Sequence, residues 1–232
     1  MNEPQPPDLS CVVIAYNEAL CLGAVVHELV AVLDRAAIRF ELVLVDDGSS
    51  DQTLERMCEL AGADPRIRVV PLPENRGIGG ALRAGFDGAR GRFVTWVPAD
   101  GQIGPDVVTN LYAQRARAPM LTTVYVARAD AWYRHVISGS LNRLIEWRTG
   151  TAAKSGGNYL FERSLWLEHA PPPDDSMLLS TAFRSRLRAA HVPILEVEIA
   201  ARARVAGHSK VLNPRTIART LWSLVKLHST RS

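Results

Sequence analysis

The segment Asp46-Asp47-Gly48-Ser49-Ser50-Asp51 places three carboxylates and two hydroxyls within six residues. Carboxylates in such a turn accept hydrogen bonds from a nucleobase edge or from ribose hydroxyls. The same residue types also build a helix N-cap and its turn. There are more carboxylates than one cap requires, which favours binding. Asp100 and Gln102 supply two oxygen donors two residues apart, a spacing that sets both side chains on one side of an extended turn. A hard cation, Mg2+ or Mn2+, takes such oxygens and fills its other positions with phosphate and water. An ordinary Asp-Gly turn would read the same way. Farther on, Arg204, Gly207, His208, Ser209 and Lys210 combine a guanidinium fork, an ammonium and a glycine open to close backbone approach, a set suited to diphosphate oxygens. A solvated basic loop has the same composition.

Other chemistries fit less well. Gly77-Ile78-Gly79-Gly80 suggests a dinucleotide fingerprint, but G-x-G-x-x-G needs glycine where Leu82 stands, and after the first strand rather than the third. These glycines instead allow close helix packing or helix entry. The six histidines include no H-x-x-x-H pair, so zinc is not expected. No G-x-S-x-G nucleophile elbow occurs.

The elements that must position these groups alternate. Leu9 to Ala15 reads as a buried strand. Leu22, Val25, Val26, Leu29, Val30 and Leu33 have helical spacing. Glu41 to Val45 is a second strand. A helix from near Asp51 turns Leu54, Met57, Cys58 and Leu60 inward. Ile67 to Leu72, Gly77 to Ala89 and Arg92 to Val97 give strand, helix and strand. This predicts an α/β fold with a mostly parallel sheet flanked by helices, whose ligands bind beyond the strands' carboxyl ends. Tyr16-Asn17-Glu18, Asp46-Asp47 and Asp100-Gly101-Gln102 all fall at such ends.

The pattern then loosens. It predicts a helix over Val107–Ala116, a strand over Met120–Ala127, and an amphipathic helix over Trp132–Trp147. Asn158–Phe161 reads as a strand or strand-like edge, Pro171–Pro173 as a loop, Leu178–Ala190 as a helix, and Ile194–Ala201 as an exposed-edge strand. Pro214–Leu227 reads as an amphipathic helix. The expected organisation is a disordered lead-in over 1–8, one domain over 9–212 with halves 9–105 and 106–212, and a C-terminal helix over 213–232.

Of the 232 residues, 47% are hydrophobic and 22% charged, and the net charge is +3. That supports a substantial core and gives no compositional reason to expect nucleic acid. Lys and Arg gather toward the C-terminus, as a solvated helical face or as a site for phosphates or an anionic membrane. Three cysteines without metal-ligand spacing suit a reducing cytoplasm, with Cys11 a small buried hydrophobe. The polar, proline-rich start is not a signal peptide, and no apolar run approaches the roughly 18 residues that span a bilayer.

Taken together, Val12–Glu18, Val45–Asp51, Asn75-Arg76-Gly77, Ala99–Gln102 and Arg204 through Lys210 resemble, in order, the motifs of the inverting family-2 glycosyltransferases, in their dolichol-phosphate mannosyltransferase-like branch. The resemblance covers roughly residues 9–212 and implies the GT-A fold. It implies that Ala15, Tyr16, Glu18, Val45, Asp47, Arg76, Ala99 and Asp100 line a nucleotide-sugar site, and that Asp100 and Gln102 hold Mg2+ or Mn2+. It also implies that Arg128 and Arg134 follow as basic residues, and that Arg204 and Lys210 meet the diphosphate. The implied reaction moves a sugar from a UDP-, GDP- or dTDP-sugar to a lipid-phosphate or small-molecule acceptor, with inversion.

Two departures stand out. Pro98 occupies a place where the family commonly has the first acid of Asp-x-Asp-x-Gln. The stretch from Ala153 to Phe161 lacks an acid that relatives often carry. Asp174, Asp175 and Glu162 are the remaining candidates for a general base, with Asp100 at the reacting diphosphate. A catalytically silent sugar-nucleotide-binding module is the alternative. Peripheral membrane contact through Ile217, Leu221, Trp222, Leu224 and Val225, or a homodimer through that helix, stays open.

Overall fold

The computed structural model describes residues 5–126, 157–173 and 178–200. Their strands are β1 (Leu9–Ala15), β2 (Phe40–Asp46), β3 (Ile67–Pro71), β4 (Phe93–Pro98), β5 (Met120–Val126), β6 (Tyr159–Glu162) and β7 (Ile194–Ala200). They form one sheet in the order β3-β2-β1-β4-β6-β5-β7. β3, β2, β1 and β4 are mutually parallel, β6 runs antiparallel to both β4 and β5, and β7 is parallel to β5. The sheet is therefore mostly parallel, as the alternation predicts.

The helices are α1 (Ala19–Arg35), α2 (Thr53–Ala63), α3 (Gly77–Gly88), α4 (Pro105–Ala113), α5 (Arg163–His169) and α6 (Leu179–Ala189). One core layer joins Leu22, Val26, Leu29 and Leu33 of α1 and Val108 and Leu111 of α4 to one sheet face. On the other face, Leu82 and Phe86 of α3 meet Trp166 of α5 and Phe183 and Leu187 of α6. Because both faces are covered, β1 and β2 are almost continuously apolar rather than alternating. The second layer is stitched by edge-to-face aromatics: Phe86 lies 5.2 Å from Phe161 and 5.1 Å from Trp166, and Trp166 lies 5.1 Å from Phe183. Gly85 brings α3 onto the sheet, since a Cβ there would lie 2.2 Å from Val12 Cγ1.

Several expectations change. Asn158–Phe161 leads not an edge but an interior strand, clamped between β4 and β5. Residues 5–8 are tied down rather than a free lead-in: the Asp8 N–H donates to the Arg39 carbonyl at 2.8 Å, and Arg39 Nη2 meets Asp8 Oδ1 at 2.8 Å. Cys58 is exposed on α2, whereas Met57 is buried and Leu60 packs against the same core, as expected. The helix α5 was not foreseen, because seven residues give too short a window for periodicity. Cys11 is buried, which pushes its thiol pKa up to about 12 and makes it a packing residue. The predicted helices over 132–147 and 214–227 lie outside the described residues.

Candidate active site

The site begins with register. Ala15 pairs with Asp46 and Ile14 with Pro98, so β1, β2 and β4 end on one rim. The Asp47 N–H donates to the Ala15 carbonyl at 2.9 Å, and the Ala99 N–H to the Ile14 carbonyl at 3.0 Å. The three polar clusters predicted at strand ends are thus neighbours.

The loops after β1 and β2 then fasten each other. Asn17, at φ 55°, accepts the Ser50 N–H on Oδ1 at 2.8 Å and donates its own N–H to Ser49 Oγ at 3.0 Å. Thr53 Oγ1 accepts the Glu18 N–H at 2.9 Å, and Asp51 accepts the Thr53 N–H at 3.0 Å and more distantly the Ala19 N–H at 3.4 Å. The first turn of α1 therefore draws its side-chain acceptors from the α2 loop. Burial alone would raise the Asp51 pKa, but the Thr53 hydroxyl and these backbone donors bring it below the ordinary value.

Asp47 is 5% exposed, and its carboxylate accepts the N–H groups of Arg76 at 2.8 Å and Gly77 at 2.9 Å, at the amino end of α3. Gly48, at φ +66°, lies so close that a Cβ would stand 2.5 Å from the Glu74 carbonyl carbon. Part of the carboxylate surplus that suggested binding is thus consumed in joining three loops. Asp46 is 2% exposed, and among the described residues its carboxylate accepts only long contacts from the Ser49 N–H, at 3.3 and 3.4 Å.

The expected site residues divide by what they offer. Tyr16 is 39% exposed, and Glu18, Arg76, Asp100 and Gln102 are half-buried at the rim. Val45 lies wholly within the layer under α3, so its side chain supports the pocket rather than facing it. Ala15 and Ala99 are also buried and present backbone. Arg128, Arg134, Asp174, Asp175, Arg204 and Lys210 lie outside the described residues. Glu162 is corrected as a general base. It closes β6 opposite Phe93, at the amino end of β4, because an antiparallel strand that starts at the rim ends at the far pole.

After β4 the chain turns through Gly101, at φ 70°. Asp100 Oδ1 accepts the Gln102 N–H at 3.0 Å, and Oδ2 accepts from the Gln102 side-chain amide. The two side chains do share one side, as their spacing predicts. Among the described residues no group of three or more His, Cys, Asp or Glu could hold a metal. One carboxylate and one amide oxygen, once Gln102 turns its amide, fit a Mg2+ or Mn2+ ion that takes its other ligands from diphosphate and water. They do not form a closed protein cage.

Sequence reasoning missed Asn158. It is 1% exposed, and its amide Nδ2 donates to the Trp96 carbonyl, extending the β4–β6 contact past the last backbone pair. The Asn158 carbonyl accepts from Thr123 N–H at 2.9 Å and Thr123 Oγ1 at 3.0 Å. Its Oδ1 is buried with no partner among the described residues, next to the end of the strand that carries the Asp100 turn. The available signal was a polar residue heading an otherwise apolar run.

A mostly parallel sheet covered by helices on both faces, with joined acidic loops at its carboxyl rim and an Asp-x-Gln turn, defines an α/β protein of the GT-A type. The family model described as "Glycosyl transferase family 2" matches residues 10–165, and the chain belongs to that family. It is 34% identical over 152 residues to an undecaprenyl-phosphate 4-deoxy-4-formamido-L-arabinose transferase of Edwardsiella ictaluri, covering 64% of this chain and 46% of the relative. It is 38% identical over 109 residues to the succinoglycan biosynthesis protein ExoO of Rhizobium meliloti, covering 46% of this chain and 30% of the relative. The matches thus span less than half of each relative's length. In fold it is similar to glucosyl-3-phosphoglycerate synthase of Mycobacterium tuberculosis in complex with Mn2+, UDP and phosphoglyceric acid. The TM-score is 0.68 at 19% identity, covering 94% of this chain and 78% of that one.

Proposed function

We propose that this protein transfers a sugar, with inversion at the anomeric carbon, from a nucleoside diphosphate sugar to a phosphorylated acceptor. The observation that carries the reading is the convergence at one rim of Tyr16, Glu18, Asp47 and the Asp100–Gln102 turn. Asp47 would accept from the base or ribose, with Tyr16 flanking it. Asp100 and Gln102 would hold the Mg2+ or Mn2+, which when bound would supply positive charge to the departing diphosphate. Arg204 and Lys210 would add charge to the same leaving group. Asp174 or Asp175 would take a proton from a hydroxyl acceptor, whereas a phosphate acceptor is already ionised and needs little base assistance. A phosphorylated acceptor is supported by the undecaprenyl-phosphate relative and by the phosphoglyceric acid in the similar structure. No helix among the described residues is long and apolar enough to cross a membrane.

The test is a thermal-shift panel of UDP-, GDP- and dTDP-sugars with and without Mn2+ or Mg2+, because a ligand that binds only the native state raises its melting temperature. One donor should stabilise the protein with metal, and Asp100→Ala should remove the metal-dependent part. If no donor shifts the melting temperature with either metal, the reading fails. Pro98 favours a second reading, a binding module that has lost chemistry, because it leaves a single carboxylate in the turn. Donor binding without turnover across a broad acceptor panel would establish that instead.

A further inference from the structure

A cleft of about 640 Å³ opens at the pole opposite the candidate site, where β1, β2 and β4 begin and β6 ends. That volume lies within the usual range for small-ligand sites, about 300–1,000 Å³. Arg39, Arg90, Arg92 and Arg163 line it, with Pro7 and Leu167 among its apolar wall. Its acids are Asp8 and Glu162, which leaves the lining with an excess of positive charge.

Two of the four guanidiniums are committed to the fold. Arg39 donates to both oxygens of Asp8 at 2.8 and 2.9 Å, and Arg163 Nε donates to the Ala89 carbonyl at 2.6 Å. The other two are available. Arg92, 72% exposed, only approaches Glu162 at 3.9 Å while lying over the Phe93 ring. Arg90 engages Glu41 and Ser10 through its backbone N–H, and among the described residues its guanidinium has no acceptor.

The backbone between these two arginines is fixed. The Gly91 N–H donates to Ser10 Oγ at 2.8 Å, and a Cβ at Gly91 would stand 2.6 Å from the Ser10 nitrogen. On the other side, the Arg163 N–H donates to the Arg92 carbonyl at 2.8 Å. A rigid Arg-Gly-Arg segment thus presents two uncommitted forks to an open cleft. Such preorganisation lowers the ordering cost of binding, and guanidinium forks match phosphate oxygens in pairs. Leu167, 65% exposed, puts apolar surface alongside.

We propose that this cleft is a metal-independent site for a ligand bearing phosphate oxyanions, held by Arg90 and Arg92. The phosphate comes either from a free diphosphate or from an anionic lipid headgroup. The inference stands apart from the transferase reading, since it uses none of the rim residues.

The experiment titrates inorganic pyrophosphate into the full chain by calorimetry, in EDTA and about 50 mM salt so that screening is weak. In parallel, the chain is floated with phosphatidylglycerol-containing vesicles and with phosphatidylcholine vesicles. The wild type should bind pyrophosphate saturably or float selectively with the anionic vesicles. Arg90→Ala/Arg92→Ala should weaken that binding roughly tenfold or more through loss of both forks. Arg90→Lys/Arg92→Lys, which keeps the charge, should fall between, and Asp100→Ala should bind as the wild type does. Pyrophosphate binding without flotation assigns the free anion, and selective flotation assigns the headgroup. Absence of both from the wild type, or equal binding by the double alanine variant, overturns the proposal.

Discussion

Replacing Asp47 by alanine should destabilise the protein before it affects any chemistry. The carboxylate is 5% exposed and accepts two backbone N–H groups, at 2.8 and 2.9 Å, where α3 begins. A hydrogen bond to a charged group contributes about 1.5–3 kcal/mol net. Alanine removes the acceptor of both and opens a space that water partly fills, so the loss should be about 3 kcal/mol. For a domain of this size each kcal/mol moves the melting temperature by about 2–4 °C, giving a fall of about 6–12 °C. Urea unfolding followed by circular dichroism gives the free energy directly. Asp47→Asn keeps one acceptor oxygen and should lose about half as much. Asp46→Ala is the internal control: its contacts to Ser49 are 3.3 and 3.4 Å, so about 1 kcal/mol or less should go. If Asp47→Ala unfolds at the wild-type urea midpoint, the joining role assigned to this carboxylate is wrong, and its geometry serves only a ligand.

Three further outcomes are expected. Gly85→Ala forces a Cβ to within 2.2 Å of Val12 Cγ1 and 3.2 Å of Val45 Cγ2. Overpacking of about 1–3 kcal/mol outweighs a helix-propensity gain of about 1 kcal/mol, so urea unfolding should show a net loss, whereas Gly88→Ala, whose nearest neighbour would be at 3.9 Å, should not. Asp51 titrates below its ordinary value because its hydrogen bonds overcome its burial, so its contribution is full above the unfolded-state pKa of about 3.9 and is lost as pH falls through the folded value. The stability gap between wild type and Asp51→Asn, measured by urea melts, should therefore be constant near neutrality and narrow below about pH 4. Asn158→Val removes a buried oxygen with no partner among the described residues as well as the donor to the Trp96 carbonyl, two effects that oppose each other. The melting temperature should move little while sugar transfer falls roughly tenfold if a substrate group completes that oxygen; a large melting shift with unchanged transfer would refute that role.

The parallel half of the fold was legible because its physics is local. Leu9–Ala15 and Phe40–Asp46 are buried on both faces, and a strand so placed must read as an apolar run. The polar residues after each run then mark the rim without any long-range knowledge. The second half resisted for a matching reason. Tyr159–Glu162 is four residues long, and nothing in four residues tells an interior antiparallel strand from an edge. At the site, Asp100 and Gln102 were legible from spacing alone. The division of labour among Asp46, Asp47 and Asp51 was not, since it depends on the Arg76 and Gly77 N–H groups and on Thr53, and so on which loops touch. Likewise Val45 matches a motif yet turns its side chain into the core, because strand alternation, not motif membership, decides which way it points.

Strand direction also constrains where chemistry can be sought. β6 is antiparallel to β4, so its first residues stand at the rim and its last at the opposite pole. That single reversal removes Glu162 from the reaction and brings Asn158 beside the strand that carries Asp100. β5 is antiparallel to β6 in turn and β7 parallel to β5, so both run toward the same rim as β1, β2 and β4. Arg90 and Arg92 precede β4, so they stand at the pole opposite the Asp100 turn.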